Sequence, residues 1–290
     1  MNHHRLAAES LSAAYGDRTV LGPVDVALPP GRITCIVGAN ASGKSTLLRS
    51  LARLLKPARG RVLLDDVDID SRPTREVART VGMLPQSPTA PDGVLVADLV
   101  ARGRHPHQGV LGRWRPEDER ALRRALEVTG TIDLAERPVD ELSGGQRQRV
   151  WLALALAQET AVLLLDEPTT FLDVTHQVQV LDLIEDLNTE RGTTVAMVLH
   201  DLNLAARYAD NLIAVSGGRI AASGPPAEVV TEDLVRDVFG LECRVVDDPV
   251  TGTPLVVPLD RRAKARRRRE QGLLAADVSS GVSRQSSTST

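Results

Sequence analysis

Ile33–Leu48 reads ITCIVGANASGKSTLL. An apolar run feeds Gly38-Ala39-Asn40-Ala41-Ser42-Gly43-Lys44-Ser45, which matches G-x-x-x-x-G-K-[ST], and a helical pattern opens at Thr46. The order is strand, loop, helix. Glycines let such a loop bend until successive backbone N–H groups converge on phosphate oxygens, and the helix adds its positive N-terminal end. Lys44 then reaches the outer phosphates and the Ser45 hydroxyl ligates Mg²⁺. The spacing predicts a bound nucleoside triphosphate.

Working outward, three further segments place polar residues at strand ends. Ala161–Leu165 is continuously apolar and ends in Asp166-Glu167-Pro168. Unbroken apolarity predicts a parallel strand buried on both faces, with its last side chains where ligands bind. Asp166 is placed to hold Mg²⁺ opposite Ser45, and Glu167 to deprotonate an attacking water. Thr194–Leu199 ends in His200-Asp201, where His200 is either a packed or capping side chain or a donor to a γ-phosphate oxygen. Thr80–Leu84 ends at Pro85-Gln86, and a polar group there faces a ligand in an open α/β sheet.

The remaining elements surround this centre. Leu6–Ala14 and Val20–Leu28 read as strands, with Tyr15 at the end of the first, where it either stacks on a nucleobase or caps a sheet edge. Arg61–Leu64 and Val67–Ile69 form a hairpin around Asp65-Asp66. Residues 88–160 change character: helical patterns run through Val94–Arg102, Glu117–Val128 and Gln146–Ala157 without a convincing strand, which predicts a helical insertion. Inside it, Leu142-Ser143-Gly144-Gly145-Gln146 opens a helix with a capping serine and bare glycines, either a second anion-binding helix start or simply a capped helix. His105 and His107 sit in an arginine-containing loop and read as surface. After Thr170-Phe171-Leu172-Asp173, positions Val174, Val178, Leu181 and Ile184 follow helical spacing. Gly217-Gly218 joins a second hairpin. A small appendage over residues 226–260 combines a helix around Glu228–Val238 with extended pieces at Cys243–Val246 and Leu255–Val257.

The totals narrow the class. At 290 residues and 42% hydrophobic, the chain can bury a substantial core. No apolar run nears the ~18 residues that span a bilayer, and the start MNHHRLAAES lacks a signal peptide's apolar segment, so a soluble intracellular protein is expected. Cys35 and Cys243 have no metal spacing and read as reduced, with Cys35 a small apolar strand residue. Residues 261–290 carry a net +6 and are rich in Ser and Thr, which predicts a disordered tail and leaves −9 for residues 1–260. An acidic body argues against nucleic acid as partner.

With these motifs in this order, residues 5–260 resemble an ATP-binding cassette (ABC) ATPase. Gly38–Thr46 matches its Walker A loop, Gln86 its Q-loop, LSGGQ (142–146) its signature, LLLDE (163–167) its Walker B, TTFLD (169–173) its D-loop and His200 its switch histidine. The resemblance implies a P-loop NTPase of α/β class: a RecA-like core, an N-terminal antiparallel β subdomain and a helical signature subdomain. One departure is Ala41, where many members carry Gly; its methyl is tolerable if φ is negative there.

The family likeness further implies a head-to-tail homodimer with two ATP molecules between the subunits. Lys44, Gln86, Glu167 and His200 act in cis on the triphosphate. Gly38, Asn40, Ala41, Ser42, Gly43, Ser45 and Thr46 cradle it, Tyr15 stacks on adenine, and Ser45, Gln86 and Asp166 hold Mg²⁺. Ser143, Gly144, Gly145 and Gln146 act in trans on the partner's nucleotide. VLVADLVARGRHPHQ, PTTFLDVTHQVQVLDLI and HDLNLAARYAD look like ATPases of bacterial ferric-siderophore importers. In those systems two permease subunits span the membrane, a binding protein delivers the chelate, and the ATPase sits on the cytoplasmic face. Two alternatives are the same role for vitamin B12 or haem, and a soluble ABC ATPase acting on nucleic acid.

Overall fold

The computed structural model describes residues 4–108 and 112–260. The basic Ser/Thr-rich tail, 261–290, lies outside the described residues. In chain order the elements are β1 (Leu6–Tyr15), β2 (Arg18–Leu28), β3 (Ile33–Val37), α1 (Lys44–Leu51), β4 (Arg59–Leu64) and β5 (Val67–Asp68). Next come α2 (Thr74–Thr80), β6 (Val81–Leu84), α3 (Val96–Ala101), α4 (Pro116–Val128), α5 (Gly144–Ala157) and β7 (Val162–Asp166). The chain continues with α6 (Val174–Arg191), β8 (Thr194–Val198), α7 (Leu202–Tyr208), β9 (Asn211–Ser216), β10 (Arg219–Gly224), α8 (Pro226–Val229), α9 (Glu232–Phe239), β11 (Cys243–Asp247) and β12 (Pro254–Pro258).

Among the described residues a six-stranded sheet runs in the order β10-β9-β3-β8-β7-β6, parallel except for the β10 edge. The strand that feeds the phosphate loop, β3, lies between β8 and β9. Successive side chains of a strand point to opposite faces, and here both faces are covered. Leu163 and Leu165 of β7 join Val195 and Met197 of β8 in one apolar cluster with α3, α5, α6 and α7. Leu164 and Val198 point the other way, into a cluster with Leu47, Leu48 and Leu51 of α1 and the inner faces of β1, β2 and β4. This double burial is why these strands read as unbroken apolar runs.

The second sheet, β2-β1-β4-β5, is antiparallel and caps that second cluster. Its β4–β5 turn places Asp65 and Asp66 at φ +54° and +61°, the left-handed pair that a two-residue hairpin of matching twist requires. β11 and β12 form a separate two-stranded ribbon, whose Val256 carbonyl accepts from Asn203 Nδ2 on α7 at 3.2 Å.

Several local expectations change. Thr80 ends α2 instead of starting β6; α2 buries only Val77, so its sequence carries no apolar stripe. Of the positions expected on the apolar stripe of α6, Leu181 and Ile184 are buried, joined by Val180, while Val174 is 77% exposed because the helix leaves the core at its first turn. The helix over 228–238 is two short ones, interrupted at Val230-Thr231, where the Thr231 hydroxyl accepts from Leu234 N and starts α9.

The arginine loop before α4 is not all surface. Arg104 is buried, donating to Asp118 Oδ1 at 3.0 Å, the Ala157 carbonyl at 2.8 Å and Glu159 Oε2 at 3.1 Å. His107 Nε2 meets the Gln158 carbonyl at 2.7 Å, which occupies that nitrogen, while His105 is exposed. Among the described residues no cluster of His, Cys, Asp or Glu forms a metal site. Cys35 and Cys243 are both buried and form no disulfide, and burial pushes the Cys35 thiol far above its usual range.

Candidate functional site

The loop 38–43 is shaped by its backbone. Gly38 has φ +151°, and a β-carbon there would lie 2.1 Å from the Val215 carbonyl, so only glycine lets the loop leave β3 against β9. The turn between β9 and β10 fastens it from outside: Gly218 N donates to the Ser42 carbonyl at 3.0 Å, and Gly22 N to the Gly218 carbonyl at 2.8 Å. Gly43 precedes α1 at φ +108°, leaving the first N–H groups of α1 without intrahelical partners. Ala41 adopts φ +60°. The condition under which its methyl would be harmless is therefore not met. A non-glycine residue there carries strain of about 1–2 kcal/mol.

Over this loop opens a cavity of about 490 Å³ lined by Asn40–Thr46, Gln86, Glu167 and His200, together with Arg18 and Val20 from β2. Lys44 is 5% exposed and its Nζ donates to the Gly38 and Ala39 carbonyls, each at 2.9 Å. Burial pulls its ammonium below the usual lysine range, while Glu167 and Asp166 hold it up.

The strand ends deliver the rest. Asp166 closes β7 with 0% exposure; its Oδ1 accepts from Ser45 Oγ at 2.9 Å, and its Oδ2 is buried without a hydrogen-bond partner. Burial raises its carboxyl above the usual range, and the Ser45 hydroxyl opposes that. A buried carboxylate with one oxygen unsatisfied is costly, and a hydroxyl beside a carboxylate is the oxygen donor set that Mg²⁺ takes. Ser45 and Asp166 thus fit the ion.

Glu167 follows at φ +58°, a strained conformation that turns its side chain back over the loop. Its Oε1 accepts from Gln86 Nε2 at 2.8 Å and lies 2.7 Å from His200 Nε2; its Oε2 accepts from Thr170 Oγ1 at 3.0 Å. Gln86, Glu167 and His200 come from the ends of three different strands, yet they converge on one carboxylate. In the single chain this carboxylate is fully engaged.

Two groups of named residues lie elsewhere. Tyr15 is 46% exposed at the end of β1, paired in register with Arg18, and does not line the cavity. Ser143–Gln146 also lies outside it. There the Ser143 hydroxyl accepts from Gln146 N at 3.3 Å, and the Gln146 side chain accepts from Ser143 N at 3.1 Å, a reciprocal cap for α5. Ser143 and Gly144 are exposed. A β-carbon on Gly144 would sit 3.6 Å from Phe171 Cβ, so this helix start adjoins Phe171, which is 78% exposed at φ +66°. Sequence reasoning did not assign Arg18, Val20 or Thr170 to the site. For the first two the only signal was their place in a strand paired with β1; for Thr170, a hydroxyl three residues after Glu167.

Comparison with known proteins gives the chain's relatives. The family model described as "ABC transporter" matches residues 21–170. The ferric enterobactin transport ATP-binding protein FepC of Escherichia coli (strain K12) is 54% identical over 259 residues, covering 89% of this chain and 96% of that protein. The petrobactin import ATP-binding protein FpuD of Bacillus anthracis is 51% identical over 262 residues, covering 90% and 96%. Among solved structures, an inward-facing metal-chelate type ABC transporter matches with a TM-score of 0.76 at 27% identity, over 90% of this chain and 99% of that one. A dimeric post-hydrolysis state of the cassette MJ0796 bound to ADP and Pi matches at 0.69 and 26%, over 76% and 98%. With its phosphate loop, its two acidic residues at the end of a buried strand and relatives of this kind along most of its length, the chain belongs to the ABC transporter family, as one of its ATP-binding, ATP-hydrolysing subunits.

Proposed function

We propose that the chain hydrolyses Mg-ATP to drive uptake of a ferric siderophore through two separate permease subunits, to which a binding protein delivers the chelate. The observation that carries the hydrolytic part is the convergence of Gln86, Glu167 and His200 over Lys44 from three strand ends. The cassette would span residues 1–260, with a helical subdomain over 88–160 and a C-terminal appendage over 226–260. No helix among the described residues is long and apolar enough to cross a membrane, which is consistent with a peripheral place on the cytoplasmic face beneath a permease.

In this reading Ser45, Asp166 and Gln86 hold Mg²⁺, which when bound offsets phosphate charge and orients the triphosphate. The backbone of residues 38–43 and the start of α1 cradle the phosphates, and Tyr15 stacks on the adenine. Entering phosphate oxygens compete for donors now spent inside the chain. Lys44 Nζ gives up the Gly38 and Ala39 carbonyls, and His200 and Gln86 yield Glu167 Oε1. That oxygen then accepts a proton from the attacking water, a contribution of ~10²–10⁴ in rate. The second half of the site comes from another copy, whose Ser143–Gln146 helix start supplies N–H groups to the γ-phosphate side. Phe171, exposed beside that helix start, is an apolar side chain suited to burial in such a head-to-tail dimer.

Uptake of labelled ferric siderophore, measured in cells with and without this chain, tests the cargo. Loss of that uptake with cobalamin and haem uptake intact is expected, together with copurification of a permease. Loss of cobalamin or haem uptake alone would overturn the cargo assignment.

A further inference from the structure

Gln148 sits in the second turn of α5 and is 7% exposed. A buried amide is tolerated only when its donors are spent, and here Nε2 donates to the Pro168 carbonyl at 3.1 Å and to the Glu167 carbonyl at 3.4 Å. Those carbonyls belong to the segment whose left-handed turn at Glu167 aims the carboxylate at Gln86 and His200. The same segment is closed below by Thr170, whose N–H donates to the Glu167 carbonyl at 3.3 Å while its hydroxyl donates to the carboxylate at 3.0 Å. Thus a strained backbone that places the base is gripped from one side by a neighbouring residue and from the other by a side chain on α5.

The other end of that helix is the Ser143 cap. Gln148 lies five positions after Ser143, about 7.5 Å along a rigid α-helix. A shift of the helix start on meeting an anion therefore moves the Gln148 amide, and with it the two carbonyls that it holds.

We propose that Gln148 is a positioning residue that couples the Ser143–Gln146 helix start to the placement of the Glu167 carboxylate in the same chain. Each copy then senses the nucleotide of its neighbour through its own base, and hydrolysis at the two sites is cooperative. This rests on the reading of Ser143–Gln146 as the partner-facing nucleotide contact.

The test uses the full chain. Gln148→Met keeps the volume and removes both donors, and Gln148→Glu presents oxygens to the two carbonyls. We expect turnover to fall about tenfold for Met and further for Glu, fluorescent-nucleotide affinity to stay within about twofold, and the Hill coefficient for Mg-ATP to fall toward one. Losses of affinity and melting temperature that track the loss of turnover would show a merely structural role and overturn the proposal. Ser143→Arg, which blocks the helix start, separates the two layers. Native turnover by Ser143→Arg sinks the underlying reading and the coupling with it. An inactive Ser143→Arg beside a Gln148→Met of native turnover and cooperativity sinks the coupling alone.

Discussion

Replacing Ala41 by glycine should stabilise the chain, which is the opposite of what a glycine substitution does in an ordinary loop. Ala41 stands at φ +60° and its side chain is exposed, so removing the methyl forfeits little packing. The left-handed conformation costs an alanine about 1–2 kcal/mol. Glycine's extra freedom in the unfolded chain gives back about 0.4–1 kcal/mol. The difference is about 1 kcal/mol, which for a domain of this size raises the melting temperature by about 2–4 °C. Ala39 provides the control: it is exposed on the same loop but has no positive φ, so Ala39→Gly should lower the melting temperature by about 1–4 °C. Differential scanning calorimetry of both variants without nucleotide measures the pair. If Ala41→Gly melts at or below the temperature of the native chain, the strain assigned to this loop is absent.

Glu167→Gln should cut ATP hydrolysis by about 10²–10⁴ while ATP binding is retained; near-native turnover would remove Glu167 from the role of base. Asp166→Asn should weaken nucleotide binding in the presence of Mg²⁺ by about 10–100-fold and leave Mg²⁺-free binding nearly unchanged, because Asp166 contributes an oxygen that is otherwise unsatisfied; equal losses in both titrations would refute that assignment. Arg104→Met leaves the buried Asp118 carboxylate uncompensated and should cost about 3–5 kcal/mol in chemical denaturation, most of it recovered by the double variant with Asp118→Leu. Asp248 is held below the usual carboxylate range by the Val250 N–H and by Arg207. Its stabilising contribution is therefore present above about pH 4 and lost as pH falls through the depressed value, so amide protection factors in the β11–β12 ribbon, taken relative to the intrinsic exchange rate at each pH, should fall with acid. Asp248→Asn should abolish that acid dependence, and an unchanged profile would count against it.

Much of the arrangement around β3 was legible because its signals are local. A phosphate loop announces itself in eight consecutive residues, and a strand buried on both faces has no choice but to be apolar throughout, as in β7 and β8. What escaped reading was set by distant contacts or by faces with little to bury. The helix α2 shields only Val77, and Val174 obeys the helical period yet points outward because nothing covers the first turn of α6. Arg104 looked like its arginine neighbours until Asp118 and Glu159 were brought to it by folding. The sign of φ at Ala41 follows from how the loop is tied down, which no neighbouring residue reveals. Likewise, Gln86 meets Glu167 across 81 positions of chain, so the identity of each was readable but their contact was not.

The placement of β3 sets a timetable for synthesis. Its two sheet neighbours, β8 and β9, and the Gly218 amide that braces Ser42 all emerge from the ribosome well over a hundred residues after the nucleotide motif itself. A nascent or prematurely released chain ending before that point carries the whole eight-residue motif without either strand that flanks β3 and without the Gly218 brace. Chains that end early thus lack the strands and the amide that brace the loop, and competence to consume fuel is expected only when translation is nearly finished.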